Sequence, residues 1–435
     1  MKKIKVGLIS LGCEKNLVDS EMILGLCEKC NFEIETDLNI VDIIIINTCG
    51  FITSAKQEAI NTIFEALDYQ ENGTKIVVTG CLVQRYLDDL KREIPEVDLY
   101  IPIKDYYRFG ELIAKLMDDK QYSNFCLQAN QRVLSTPKHL AYLKISEGCN
   151  NNCAYCAIPL IRGKFVSKPV DEIIMEFKYL ISTGRKEICL ISQDLTKYGI
   201  DLDNMSLAKL LQKLVLIEGD YKIRLLYLYP DEITDELIQV VKENNKILPY
   251  FDIPVQHGSD KILKWMGRRG NANFINGLIT KIRNEIPESV IRTTLIVGFP
   301  HESEKDFEIL KEFIKLNKFD HLGAFTYSKE EDTKSFNMSC QVSEKIKQRR
   351  YDEIMEIQKW ISLDQNRKYL NKTYECIIES YDEENDYYIG RGYMYAPDDI
   401  DGSIIIRSKN KLNLYESYNV YIDDVDFFDI YGKVE

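Results

Sequence analysis

Three cysteines stand in one short stretch, Cys149-Asn-Asn-Asn-Cys153-Ala-Tyr-Cys156, spaced C-x3-C-x2-C. Thiolates so close together are ligands for a soft metal centre, and iron–sulfur cubanes are normally held by four of them. A loop that supplies only three leaves one iron without a protein ligand. An open coordination position is where a metal centre does chemistry rather than holding a fold. Structural zinc is the competing reading, but it normally takes four ligands, often as two separated C-x2-C pairs. The C-x2-C at Cys27-Glu-Lys-Cys30 lies at the tail of a helical stretch and has no partner pair. The spacing favours iron and sulfide.

Three further cysteines share a different placement. Val6–Leu11, Ile43–Ile46 and Ile76–Val78 are short, nearly continuous apolar runs, as strands covered on both faces are. Helical patterns over Leu17–Glu28, Thr53–Tyr69 and Gln84–Glu93 separate them, and this alternation predicts a parallel α/β sheet up to about residue 123. Cys13, Cys49 and Cys81 each follow one of these runs, just beyond its carboxyl end. Open α/β sheets gather their ligands at that edge. Gly12, Gly50 and Gly80 beside them allow sharp turns around a bulky group. One buried cysteine is ordinary packing, but three at equivalent strand ends suggest a second cluster. Cys27, Cys30, Cys126, Cys189, Cys340 and Cys376 lack this placement and read as packing residues.

The polar stretch Gln128–Pro137 reads as part of a linker over residues 124–139. From 140 to 362, six strand-like runs recur: Tyr142–Ile145, Ile188–Ser192, Ile223–Leu228, Tyr250–Pro254, Arg292–Val297 and Leu322–Thr326. Helical patterns such as Asp171–Ser182 and Asp306–Leu316 lie between them. Six βα units are fewer than a closed barrel needs, so an open partial barrel is expected, with the cysteine loop after its first strand. An open side suits a large substrate. Residues 367–435 carry short strand candidates at Thr373–Glu379, Tyr387–Tyr395, Ser403–Arg407 and Asn419–Phe428, the pattern of a small all-β barrel. Its tyrosines could stack on bases or be ordinary strand residues.

The 435 residues are 45% hydrophobic and 29% charged, with twelve cysteines and a net charge of −13. No apolar run approaches the length of a membrane span. Many cysteines without a secretion signal imply a reducing compartment, the cytoplasm. The overall charge offers no general attraction to nucleic acid. From Lys368 onward, seven Lys/Arg face fifteen Asp/Glu, a local balance of −8 that suits a basic protein partner.

Several phrases then resemble one family along the whole chain: Ser10-Leu-Gly-Cys13-Glu-Lys-Asn16, Asn47-Thr-Cys49-Gly-Phe51, Thr79-Gly-Cys81, and the loop flanked by Lys144-Ile-Ser-Glu-Gly-Cys149 and Ala157-Ile-Pro-Leu-Ile-Arg-Gly163. They are similar to those of the methylthiotransferases of the radical S-adenosylmethionine superfamily, which end in a small TRAM barrel. Leu17-Val-Asp-Ser-Glu21, Tyr227-Leu-Tyr-Pro230, Asp252–His257 and Phe325-Thr-Tyr-Ser328 look most like the RimO branch, which modifies a ribosomal protein. Two departures stand out: Gly298-Phe-Pro-His-Glu-Ser303, where the family often has Gly-Phe-Pro-Gly-Glu-Thr, and Lys168, where an arginine is usual.

The resemblance implies two 4Fe-4S clusters, one on Cys149, Cys153 and Cys156 and an auxiliary one on Cys13, Cys49 and Cys81, with no side chain acting as the catalyst. S-adenosylmethionine at the open iron would give a 5′-deoxyadenosyl radical, and a second molecule would methylate a sulfur on the auxiliary cluster. The methylthio group would pass to the β-carbon of an aspartate in the small-subunit ribosomal protein at the decoding centre. An electron donor such as flavodoxin or ferredoxin and a sulfur donor are implied. Tyr155 matches an aromatic near the adenine. Gln193 and Asp194, after the second barrel strand, and His257, after the fourth, face the expected site but could equally serve structural hydrogen bonds. Modification of a tRNA adenosine, as in the sister branches, and a non-catalytic iron–sulfur carrier or sensor are the alternatives.

Overall fold

The computed structural model describes residues 3–118, 131–397 and 400–435. Cys126 and the first part of the expected linker lie outside them. The amino-terminal sheet is parallel throughout and ordered β2-β1-β3-β4-β5. Its strands are β1 (Lys5–Ser10), β2 (Glu33–Ile34), β3 (Ile43–Thr48), β4 (Lys75–Gly80) and β5 (Leu99–Pro102). Helices α1 (Glu14–Lys29), α2 (Thr53–Leu67), α3 (Cys81–Glu93) and α4 (Phe109–Leu116) cover it. The run Ile43–Ile46 is apolar at every position because both faces are covered. Ile43 and Ile45 pack in the core with α1 and α4, while Ile44 and Ile46 pack with α2 and α3.

The central sheet is also parallel, ordered β13-β12-β11-β10-β9-β6, and stays open, as the count of six units implied. Its strands are β6 (Leu140–Lys144), β9 (Glu187–Ile191), β10 (Lys222–Leu225), β11 (Ile247–Asp252), β12 (Val290–Val297) and β13 (His321–Thr326). Between β6 and β9, β7 (Ser146–Glu147) and β8 (Val166–Ser167) form a small antiparallel pair that closes the base of the cysteine loop. The helices are α5 (Ile158–Arg162), α6 (Val170–Ser182), α7 (Leu207–Val215), α8 (Asp235–Glu243), α9 (Asp260–Trp265), α10 (Ala272–Glu285), α11 (Glu304–Asn317) and α12 (Glu344–Asn366). Along each strand, one set of side chains (Leu143, Leu190, Ile223, Phe251) packs against these helices. The alternate set (Tyr142, Cys189, Leu248, Tyr250) points into the lumen. Helix α12 runs on to Asn366, so the expected edge at 362 falls within a helix.

The carboxyl-terminal strands β14 (Thr373–Asp382), β15 (Tyr387–Arg391), β16 (Ile404–Arg407), β17 (Ser417–Val425) and β18 (Ile430–Val434) close into a barrel. One of its pairings, β16 with β18, is parallel. Tyr369, Tyr388 and Tyr395 are buried, and together with Cys376 and Met394 they share one core with the lumen residues of the central sheet. Among the described residues no helix is long and apolar enough to cross a membrane.

A buried carboxylate ties barrel to sheet. Arg224 Nε donates to Glu187 Oε1 at 2.6 Å, and Arg391 Nη1 of the barrel donates to Oε2 at 2.7 Å. Burial opposes ionisation of Glu187, but the two guanidinia overcome it and bring the carboxyl down to about 2. A depressed carboxyl contributes stability above its ordinary pKa of 4.5, and that contribution is lost as pH falls toward 2. Glu187→Gln, which leaves two buried cations facing each other, is expected to cost about 3–5 kcal/mol near neutral pH. In urea titrations the gap from the parent protein should shrink below about pH 4.5; a gap of constant size would contradict this account.

Candidate metal centres

Cys13 precedes the first residue of α1, Cys49 follows β3, and Cys81 opens α3. Their ends are level because β1 pairs with β3 up to Ser10↔Asn47, and β3 with β4 up to Thr48↔Gly80. Gly12 takes φ +91°, and a Cβ there would fall 2.8 Å from Cys49 Cβ and 3.1 Å from its Sγ. Gly80 takes φ +95°, with Thr48 O only 2.4 Å from where its Cβ would be. These two positions therefore require glycine for the strand ends to draw together. Asn16 fastens the group: its Nδ2 donates to Leu11 O at 3.1 Å and Thr48 O at 3.0 Å, and the Cys81 thiol lies 3.3 Å from its Oδ1. Burial pushes the Cys81 thiol up to about 11 and raises that of Cys49, with Cys13 adding to both. Cys13 and Cys81 also stand at helix N-termini.

The second trio lies beyond β6. Two backbone hydrogen bonds clamp the loop at Ala154: its N–H donates to Met266 O at 2.7 Å, and its carbonyl accepts from Ser335 N at 2.9 Å. Asn151 Nδ2 donates to Asp194 Oδ2 at 2.6 Å, so Asp194 holds the segment between the first two cysteines. The Tyr229 hydroxyl lies 3.8 Å from Cys153 Sγ, and the buried guanidinium of Arg268 stacks 4.0 Å over the Tyr229 ring. Arg268 Nη2 donates to Pro254 O at 2.5 Å. Burial pushes the Cys156 thiol up to about 12, and Cys153 adds to it. Tyr155 meets Phe299 edge-on at 6.5 Å. Gln193 Nε2 donates to Glu147 Oε1 at 2.7 Å, leaving its Oε1 buried without a partner. Ser146 Oγ, at the start of β7, and Ser192 Oγ, just past β9, are orphaned likewise. Buried polar atoms of this kind are normally satisfied, so the unmet set suits a polar cofactor at this edge.

One arginine joins the two groups. Arg162, at the end of α5, donates from Nη1 to Asp19 Oδ2 at 2.7 Å and to Glu147 Oε2 at 3.3 Å. Its Nη2 reaches Asn16 Oδ1 at 2.5 Å and Cys81 Sγ at 3.3 Å. Lys144 Nζ completes the cluster on Asp19 at 2.5 Å and Glu147 at 2.7 Å. Cys81 packs on Ala157 and Ile161, so the first trio abuts the segment that directly follows Cys156. Sequence reasoning gave no role to Asp19, Glu147, Arg162 or Arg268. Arg162 does lie in the quoted flank of the loop, but nothing in a linear pattern tells which side chains meet across two sheets.

His257 is fully buried; its Nδ1 accepts from Ser259 N at 2.9 Å, while its Nε2, 3.8 Å from Glu302 Oε1, has no hydrogen-bond partner. Lys168 pairs with the buried Glu176. His301 adopts φ +69°, the backbone that glycine meets without strain, and its ring stacks 4.3 Å from Trp265. Among the described residues no group of three or more His, Cys, Asp or Glu side chains stands close enough to hold a metal ion. Cys27, Cys30, Cys189 and Cys376 are buried in cores, while Cys340 is exposed.

Comparison with known proteins adds to this geometry. Residues 5–102 match an uncharacterized protein family, UPF0004, residues 143–314 the radical SAM superfamily, and residues 372–434 the TRAM domain. The ribosomal protein uS12 methylthiotransferase RimO of Caldicellulosiruptor saccharolyticus is 47% identical over 99% of this chain and 100% of its own length. Its counterpart from Acetivibrio thermocellus is 45% identical over 100% and 99%. The chain belongs to the radical S-adenosylmethionine methylthiotransferases. As a member it is a transferase that uses an iron–sulfur cluster and S-adenosylmethionine. Among solved structures, the radical methyltransferase TsrM of Kitasatospora setae shares the fold at TM-score 0.60 and 10% identity, over 77% of each chain. The radical enzyme OxsB does so at TM-score 0.52 and 14% identity, over 82% of this chain and 56% of its own.

The glycine requirement is directly testable. Gly12→Val is expected to cost about 2–4 kcal/mol, from left-handed strain plus overpacking against Cys49. Gly277→Ala, in α10 with open space around it, should instead gain about 0.5–1 kcal/mol. Denaturant midpoints of the two variants should move in opposite directions.

Proposed function

We propose that this chain adds a methylthio group to the β-carbon of an aspartate in ribosomal protein uS12. The observation that carries this reading is the match, over essentially the full length, to relatives named for that activity. In this reading Cys149, Cys153 and Cys156 hold one 4Fe-4S cluster with an iron left for S-adenosylmethionine, and Cys13, Cys49 and Cys81 hold a second. Bound there, these groups supply the radical cleavage of the cofactor and the sulfur and methyl group to be transferred.

The chain's own residues bind, orient and exclude water. The clamp at Ala154 and the Asn151–Asp194 hydrogen bond fix the loop before any ligand arrives. Glu147 turns the unpartnered Oε1 of Gln193 toward the site as an acceptor, and Tyr155, backed by Phe299, offers an aromatic face beside it. Arg268 supplies a buried positive charge beside Cys153 and Tyr229. Its ordinary pKa is so high that it is charged at any working pH. The donor set fits the proposed groups: soft thiols in threes, with the Arg162 guanidinium on Cys81 of one trio and Arg268 stacked on Tyr229 beside the other.

Two features favour a basic protein over tRNA. The last 68 residues carry a net charge of −8, which repels phosphate. Several tyrosines that could stack on bases are instead consumed in packing, with Tyr369, Tyr388 and Tyr395 all buried. An electron donor such as flavodoxin or a ferredoxin would supply electrons, and a separate donor the sulfur.

Reconstituted enzyme, incubated anaerobically with uS12, dithionite and S-adenosylmethionine, is expected to add the mass of a methylthio group to one aspartate and release 5′-deoxyadenosine. Replacing Cys149, Cys153 and Cys156 together by alanine should abolish 5′-deoxyadenosine while leaving about half of the iron. An unmodified uS12 with methylthio-adenosine appearing in tRNA would reverse the choice of substrate.

A further inference from the structure

We infer that Arg162 is a positioning residue for the centre on Cys13, Cys49 and Cys81, setting its reduction potential through Cys81 while tying it to the seating of the other loop. The inference rests on the reading of those three cysteines as cluster ligands. Arg162 is 8% exposed, and all four of its Nη hydrogens have acceptors: Asp19, Glu147, Asn16 and Cys81. Asp19 and Glu147 are also both held by Lys144, so two cations and two carboxylates balance without the thiol. A purely structural ion pair needs no fourth acceptor that is itself a proposed ligand.

Chain geometry makes the contact a link rather than a coincidence of packing. Arg162 ends a five-residue helix that begins two residues after Cys156, and Ala157 and Ile161 of the same segment pack on Cys81. Any shift of the Cys149–Cys156 loop therefore moves the guanidinium that touches Cys81. Hydrogen bonds and positive charge at ligand sulfurs stabilise the reduced, more negative state of an iron–sulfur centre and raise its potential.

The test uses the full chain carrying C149A, C153A and C156A, which leaves a single centre, with iron and sulfide quantified first. In that background the midpoint potential is followed by electron paramagnetic resonance for R162Q, R162K and K144M. K144M removes a positive charge from the same cluster of side chains without touching a thiol. R162Q is expected to move the potential to more negative values, further than K144M does, and R162K to move it partway. If R162Q does not load iron, R162K decides by the same criterion. A loaded centre whose potential is unmoved, or moved no further than by K144M, overturns this inference alone. A background chain that binds no iron overturns the two-cluster reading, and the inference with it.

Discussion

The parallel pairing of β1, β3 and β4 is the constraint on which the rest depends. Side chains alternate between faces along a strand, so a slip of one residue would turn every side chain to the opposite face. Ile43–Ile46 are alike on both faces, so the register is chosen at their end, where Thr48 Oγ1 donates to Thr79 O at 2.5 Å and Asn47 Nδ2 to Ser20 Oγ at 2.9 Å. Three thiols come level at one edge only because three strands end together there. Asn16 and Asn47 then lock the turns with buried hydrogen bonds, including Asn47 Nδ2 to Asn16 O at 2.8 Å.

The units are docked by buried ion pairs rather than by apolar surface alone. Glu330, after β13, accepts from Thr53 N at 2.8 Å and meets Lys56 at 2.9 Å and Arg85 at 3.3 Å. Arg162 and Lys144 do the same between α1 and the cysteine loop. Tyr227 OH donates to Glu14 Oε2 at 2.7 Å, with Lys15 over its ring, and Tyr227 pays for that reach with a left-handed backbone at φ +66°. Buried charges tolerate mispairing badly, because an unpaired ion inside a protein is costly. Such contacts select one docked arrangement of the two thiol trios over neighbouring ones.

Much of this was legible in the sequence where periodicity was strong. The six central strands and the three apolar runs of the first sheet all appear, with ends shifted by a few residues. What escaped detection was short or unpatterned: β2 is two residues long, β5 ends in proline, and Gly432 interrupts the apolar pattern of β18. Helices α1 and α3 begin earlier than expected, because Cys13 and Gly80 precede them in place of the Ser, Thr, Asp or Asn that usually marks a start. The cysteines themselves were readable from their spacing and strand-end placement. Their partners Arg162, Asp19, Glu147 and Arg268 were not, since those contacts join residues as much as 146 positions apart.

The small carboxyl-terminal barrel packs against the lumen side of the open sheet. Tyr395 and Met394 share a core with Tyr142, Cys189 and Tyr250, and Arg292 on the inner face of β12 reaches Asp401 at 3.0 Å. It therefore shares its core with the inner face of the sheet. Cutting it away would uncover Arg224, Glu187 and Tyr250 to water and hollow out the neighbouring sheet. A truncated chain that no longer acts on its target would then report a collapsed scaffold rather than a severed handshake.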